Sequence, residues 1–193
     1  MPTPIGHSLA GYAAAKLTRV ELTRDERRLF VVAACVGILP DVLSLVLGRL
    51  VGEPDHAFSH SLLAMAIVSL VAAALATRRG FPFWAVLLVV APAYGSHLFA
   101  DLLRPAPTAD AGEQLLWPLH TAYALDLRIF PHVPSRGEFP SLLRWGWAVV
   151  PIMLREFLIL APIAALARFI PPARRGHCTA QAMERPADPA AAA

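Results

Sequence analysis

Charge is the scarcest thing in this chain. Only 16% of its 193 residues are Asp, Glu, Lys or Arg, where a soluble domain carries about 25%. With 56% hydrophobic residues and a mean hydropathy of +0.54, that shortage argues against an ordinary soluble fold and reads as an integral membrane protein. Cysteine is nearly absent too. Cys35 lies in an apolar run and Cys178 in the tail, so neither a metal-binding cysteine pair nor a disulfide framework is available. The basic residues are not interleaved with aromatics on one element, which argues against a nucleic-acid partner, and no protein partner is evident. The chain has no His-Glu-x-x-His, no Gly-x-Ser-x-Gly, no Walker loop and no dinucleotide glycine fingerprint. A zincin protease, a lipase-type serine hydrolase and a nucleotide-driven pump are therefore unsupported. The N-terminus does not read as a cleavable signal, because its basic residues follow the short apolar stretch instead of preceding it.

What the chain does have is long apolar runs. Leu29–Val51, Phe58–Thr77, Pro82–Leu103 and Trp145–Ile170 each reach the roughly 20 residues that a membrane helix needs. All four are expected to be helical. Pro40, Pro92, Pro151 and Pro162 fall inside them, which membrane helices tolerate by kinking. A shorter run, Ile5–Leu17, cannot cross alone and is expected to be a re-entrant or interfacial helix. Trp84, Trp117, Trp145 and Trp147 fall near the expected span ends, as an aromatic belt requires. The fold class is thus all-α, a polytopic membrane helix bundle of about four spans plus the short N-terminal helix. Residues 1–170 form the membrane domain. The Pro- and Ala-rich segment 171–193 lacks periodicity and is expected to be disordered. No internal repeat stands out.

Orientation follows from Lys and Arg. With four spans, the segments before the first, between the second and third, and after the fourth share one side. They hold eleven basic residues against five on the other side. The positive-inside rule makes the richer side cytoplasmic. The N-terminal basic segment and the C-terminus are then inside, and His56, Asp101 and the loop between Arg104 and Arg144 face outward.

Ligand-type side chains interrupt the apolar runs. His56 and His60 stand four residues apart, as do His97 and Asp101, which on a helix puts each pair on one face. His56 and His60 read either as two imidazole ligands at the start of the second span or as a polar helix start capped by Asp55 or Ser59. His97 and Asp101 lie in the last turns of an apolar span, where a carboxylate is costly unless paired. They read as metal ligands in preference to a structural hydrogen bond, since nitrogen with carboxylate suits zinc, manganese or iron. Asp41 follows Pro40 inside the first span and needs a cation, a metal or a hydrogen-bond donor; it could also cap a helix restarted after the proline. His7 by itself reads as an interfacial histidine. Arg155 could bind an anionic group of a substrate, or pair with Asp41 or Glu156. His120 and His132 fall in a loop and are expected to be solvated.

Taken in order, these motifs resemble a known family. Pro4-Ile5-Gly6-His7 with Gly11, Leu39-Pro40-Asp41, His56-x-x-Ser59-His60-Ser61, His97-x-x-x-Asp101 and the tract Gly112–Pro118 are similar to the YdjM-type proteins, also called the DUF457 family. These are LexA-regulated, inner-membrane-associated proteins named as metal-dependent hydrolases. The resemblance covers roughly Pro4 to Leu119. The chain departs from the pattern where His56-Ala57-Phe58 replaces a His-Arg-Gly, and where Val42, Leu43 and Ser44 stand in place of a second acidic residue. The His/Asp helical pattern is also similar, more weakly, to zinc-dependent phospholipase C proteins.

The resemblance implies a bacterial inner-membrane hydrolase. In it His7, Asp41, His56, His60, His97 and Asp101 hold one or two divalent ions, zinc first and manganese second. A bound metal lowers the pKa of water towards about 7, and Asp41 is the candidate general base. A membrane lipid or lipid-linked phosphoester is the natural substrate, because it can enter sideways from the bilayer. Two other readings stay open. One is a divalent-metal or proton transporter using the same His/Asp site; it would need access from both faces and typically shows a repeat. The other is a structural membrane protein whose histidines merely pair.

Overall fold

The computed structural model describes residues 3–22, 25–51, 56–103, 105, 112–125, 127, 129–131, 133–134 and 136–173. Asp55, Asp110, His132, Cys178 and nearly all of the expected disordered tail lie outside the described residues. Six α-helices follow in order: α1 (Pro4–Leu17), α2 (Glu26–Val51), α3 (His56–Ser59), α4 (Leu62–Thr77), α5 (Phe83–Leu102) and α6 (Leu142–Arg168). A 3-10 turn, Arg136–Glu138, precedes α6. Among the described residues the only extended pairing is an isolated bridge between Glu113 and Tyr123.

Among the described residues three helices are long and apolar enough to cross a membrane: Glu26–Leu50, Phe83–Leu102 and Leu142–Arg168. They correspond to the first, third and fourth expected spans. Their outward faces carry an exposed apolar belt that includes Leu45, Leu88, Leu154 and Leu158, surface that lipid rather than water must cover. Prolines 40, 92, 151 and 162 lie within continuous helices, as expected of spans.

The second expected span, Phe58–Thr77, is broken. α4 begins only at Leu62 and has 16 residues, about 24 Å of helix against a hydrocarbon core of about 30 Å. The break has a local cause. Ser61 is extended (φ −109°, ψ 157°) and its hydroxyl accepts the Ala64 N–H, the usual device for starting a helix. The Leu62 N–H, orphaned at that start, donates to the Leu115 carbonyl at 2.9 Å. The Gly112–Pro118 tract therefore completes the end of α4, and Trp117 packs edge-on against Phe58 of α3.

The short N-terminal helix occupies the middle of the bundle. Thr3 caps α1 and Pro4 opens it, both favoured positions. α1 packs against α2, α5 and α6, and His7, Tyr12, Ala13 and Ala15 are buried. A helix buried on three sides in this way does not lie at the bundle surface, as an interfacial helix would. The approach to α2 is close because small residues line it. A Cβ on Gly11 would stand 2.6 Å from the Ala33 carbonyl oxygen, and one on Gly37 would collide with the His7 carbonyl.

Candidate metal centre

The centre is assembled where α1 and α4 begin, beside the proline of α2 and the last turns of α5. His7 comes from the first turn of α1, Asp41 from α2 just after Pro40, His60 from the turn between α3 and α4, and His97 and Asp101 from α5. His7, His60 and His97 are fully buried, Asp101 is 1% exposed, and the Asp41 side chain is 28% exposed. Two trios could each hold an ion: His7, His97 and Asp101, and Asp41, His60 and His97. His97 belongs to both.

Hydrogen bonds on the far sides of the rings hold the two imidazoles in place. His97 Nδ1 lies 2.7 Å from the Gly37 carbonyl oxygen, buried across the α2–α5 contact. His60 Nδ1 lies 3.1 Å from the His56 carbonyl oxygen. A carbonyl only accepts, so His97 Nδ1 carries the proton and in the neutral ring its Nε2 presents a bare lone pair; His60 Nδ1 also has the Ser59 hydroxyl at 3.0 Å, which can donate or accept. The two Nε2 atoms face each other at 3.0 Å. Two Nε2 atoms at that distance repel unless a proton or a metal ion lies between them. The carboxylates complete the ring of donors. Asp101 Oδ2 is 3.2 Å from His97 Nε2 and 3.6 Å from His60 Nε2, and Asp41 Oδ1 is 3.4 Å from His60 Nε2 and 3.7 Å from His97 Nε2. Ligand atoms bound at zinc-like distances to one tetrahedral ion stand about 3.3 Å apart, which these five separations bracket.

The unsatisfied atoms point the same way. Both carboxylate oxygens of Asp101 and both ring nitrogens of His7 are buried without a hydrogen-bond partner. A buried carboxylate with no donor is costly, and a cation removes that cost. His7 stacks on His97 with ring centroids 3.6 Å apart.

His56 lies beside His60, one turn away, as its spacing suggests, but outside both trios. The helix breaks before α4, so His56 and His60 are not on one span. Their rings lie 3.7 Å apart. Its Nδ1 is 3.4 Å from Ser44 Oγ, and its Nε2 is 3.9 Å from Glu113 Oε2. Arg155 is exposed, whereas its neighbour Glu156 is fully buried. Glu156 binds the cap of α1. It accepts the Thr3 N–H at 2.8 and 3.0 Å and also the Thr3 hydroxyl, tying α6 to the cap of the helix that carries His7. His120 is exposed, as expected.

Sequence reasoning missed several supports. The Gly37 carbonyl that orients His97 leaves no side-chain signal. Tyr94, one turn before His97, donates its hydroxyl proton to the Ser59 carbonyl, and its helical spacing from His97 could have flagged it. Glu113, buried at 3% exposure, sat inside the tract already noted.

Apolar spans around an inward-facing His/Asp cluster define a polytopic membrane protein. The sequence model of the YdjM inner membrane protein family matches residues 1–183, and the chain belongs to that family, whose name places it in the inner membrane. Compared with curated proteins and with solved structures, the chain shows no match.

Proposed function

We propose that the protein is a membrane-bound, metal-dependent hydrolase acting on a lipid or lipid-linked phosphoester. One observation carries the reading: two buried histidines turn their Nε2 atoms towards each other at 3.0 Å, between two carboxylates, in the interior of an apolar bundle. Zinc suits that donor set best and manganese is the alternative. His60, His97, Asp101 and Asp41 would hold the ion, with His7 beside them. When bound, such an ion makes hydroxide available near neutral pH and polarises a phosphoryl oxygen.

The chain's own groups supply the rest. Gly37 and His56 hold the two imidazoles by their carbonyls, so the donor atoms need little reorganisation. Asp41 is the open member of the cluster, and its carboxylate takes the proton of the attacking water. Water oxygen bonds to phosphorus, the ester P–O bond breaks, and that proton passes to the departing lipid alcohol. Burial of His7, His60, His97 and Asp101 keeps bulk water from the remaining faces.

Asp41→Asn tests this, because it keeps shape and removes basicity. The variant should lose metal-dependent release of phosphate from lipid phosphoesters while the bundle stays folded. The transporter reading takes over if wild type hydrolyses no lipid or phosphoester, moves zinc into liposomes, and loses that flux in Asp41→Asn.

A further inference from the structure

The ends of the helices that carry the basic residues lie together. α1 ends at Leu17, α2 starts at Glu26, α4 ends at Thr77, α5 starts at Phe83 and α6 ends at Arg168. Glu26 binds Lys16 and the Tyr12 hydroxyl of α1. Leu22 packs on Ala73 and Val86 from α4 and α5. The Ala173 N–H donates to the Arg19 carbonyl at 2.7 Å. Lys16, Arg19, Arg27, Arg28, Arg78, Arg79 and Arg168 therefore share one side.

Depth can then be read off several helices independently. From that side, His97 and Asp101 lie about 21 and 27 Å along α5, Asp41 about 22 Å along α2, and the start of α4 about 24 Å away. These agree, and they put the cluster within about 3–9 Å of the opposite boundary of a 30 Å hydrocarbon core. α1 and α4 both start at this level, and a helix start favours an anionic group. The unpartnered Asp101 and His7 atoms mark the same spot. The half-open Asp41 is one turn from Leu45, which is 58% exposed on the lipid-facing side of α2.

Resting on the hydrolase reading, we infer that the substrate is a lipid phosphate of the outer, non-cytoplasmic leaflet, entering laterally past α2 between Asp41 and Leu45. A lipid phosphate at the headgroup boundary has only a short way to sink to reach the cluster. A phosphoester dissolved in the cytoplasm would have to cross most of the bilayer.

Two arms test this. First, single cysteines replace Arg79 or Thr121 in a full-length chain whose Cys35 and Cys178 are serine, and intact spheroplasts receive a membrane-impermeant maleimide. Thr121→Cys should label in intact cells and Arg79→Cys only after lysis. The reverse pattern puts the cluster under the inner leaflet and overturns the inference, whatever the activity. Second, zinc-loaded protein is assayed in phosphatidylcholine vesicles containing dioleoyl phosphatidic acid, and with soluble p-nitrophenyl phosphate. Leu45→Trp should lower the ratio of lipid to soluble turnover about tenfold, and Leu158→Trp on α6 should leave it unchanged. An unchanged ratio in Leu45→Trp overturns lateral entry and leaves the hydrolase standing. No turnover of either probe by wild type overturns the hydrolase reading and the substrate assignment with it.

Discussion

Gly37→Ala joins the fold to the centre in one atom. The added Cβ would collide with the His7 carbonyl and stand 3.4 Å from Gly11 Cα. The obstacle is backbone, which cannot rotate away, so α1 and α2 must separate. Overpacking of this kind costs about 1–3 kcal/mol. The same shift strains the 2.7 Å bond from His97 Nδ1 to the Gly37 carbonyl, worth about 0.5–1.5 kcal/mol, and moves His7 off the His97 ring. Loss of an outer partner of a metal-binding histidine lowers metal affinity by about 10–100-fold. The variant should therefore unfold at lower SDS fraction in mixed micelles and bind zinc correspondingly more weakly in a chelator competition. Gly146→Ala is the control. No atom lies within 4 Å of its Cβ site, and alanine is the better helix former, so stability should hold or rise by up to about 1 kcal/mol. Equal stability and equal zinc affinity for Gly37→Ala and wild type would refute the argument that backbone contact sets the site.

The two neighbouring histidines should behave differently: His60→Ala should lose the metal, whereas His56→Ala, outside both trios, should keep it, as measured by bound zinc after gel filtration. Equal loss in both would return His56 to the ligand set. Glu156→Gln should lower stability by about 1–3 kcal/mol in the same SDS titration, because one carboxylate oxygen becomes a buried NH2 group that faces the Thr3 N–H and has no acceptor there. Unchanged stability would show that the tie between α6 and the α1 cap is dispensable.

The bundle was legible because hydropathy survives almost any packing. The apolar runs around Cys35, Val89 and Leu158 had to be helices whatever they touched. The His97 and Asp101 pair was legible for a related reason, since α5 runs uninterrupted to Leu102 and the four-residue spacing keeps its meaning. The spacing also brings His56 and His60 ring to ring one turn apart, but the helix does not continue from them into α4, because Ser61 acts as a helix cap and restarts the chain. α1 was underrated because length alone said it could not cross. Its role depends on Gly11 and Gly37, whose missing side chains permit contact without announcing it. Glu156 was noticed as an acid in an apolar run and sought among cations, whereas its partners are the backbone and hydroxyl of Thr3, distant in sequence.

The central claim is that the cluster around His97, with Asp41 and His60 on one side and Asp101 and His7 on the other, holds a cation. It is tested most directly by metal analysis, by mass spectrometry, of the full-length protein purified in detergent without added metal. Wild type should carry close to one equivalent or more of zinc or manganese, and His97→Ala and Asp101→Ala should each lose most of it while remaining folded. Metal-free wild type, or unchanged metal content in both folded variants, would contradict the account.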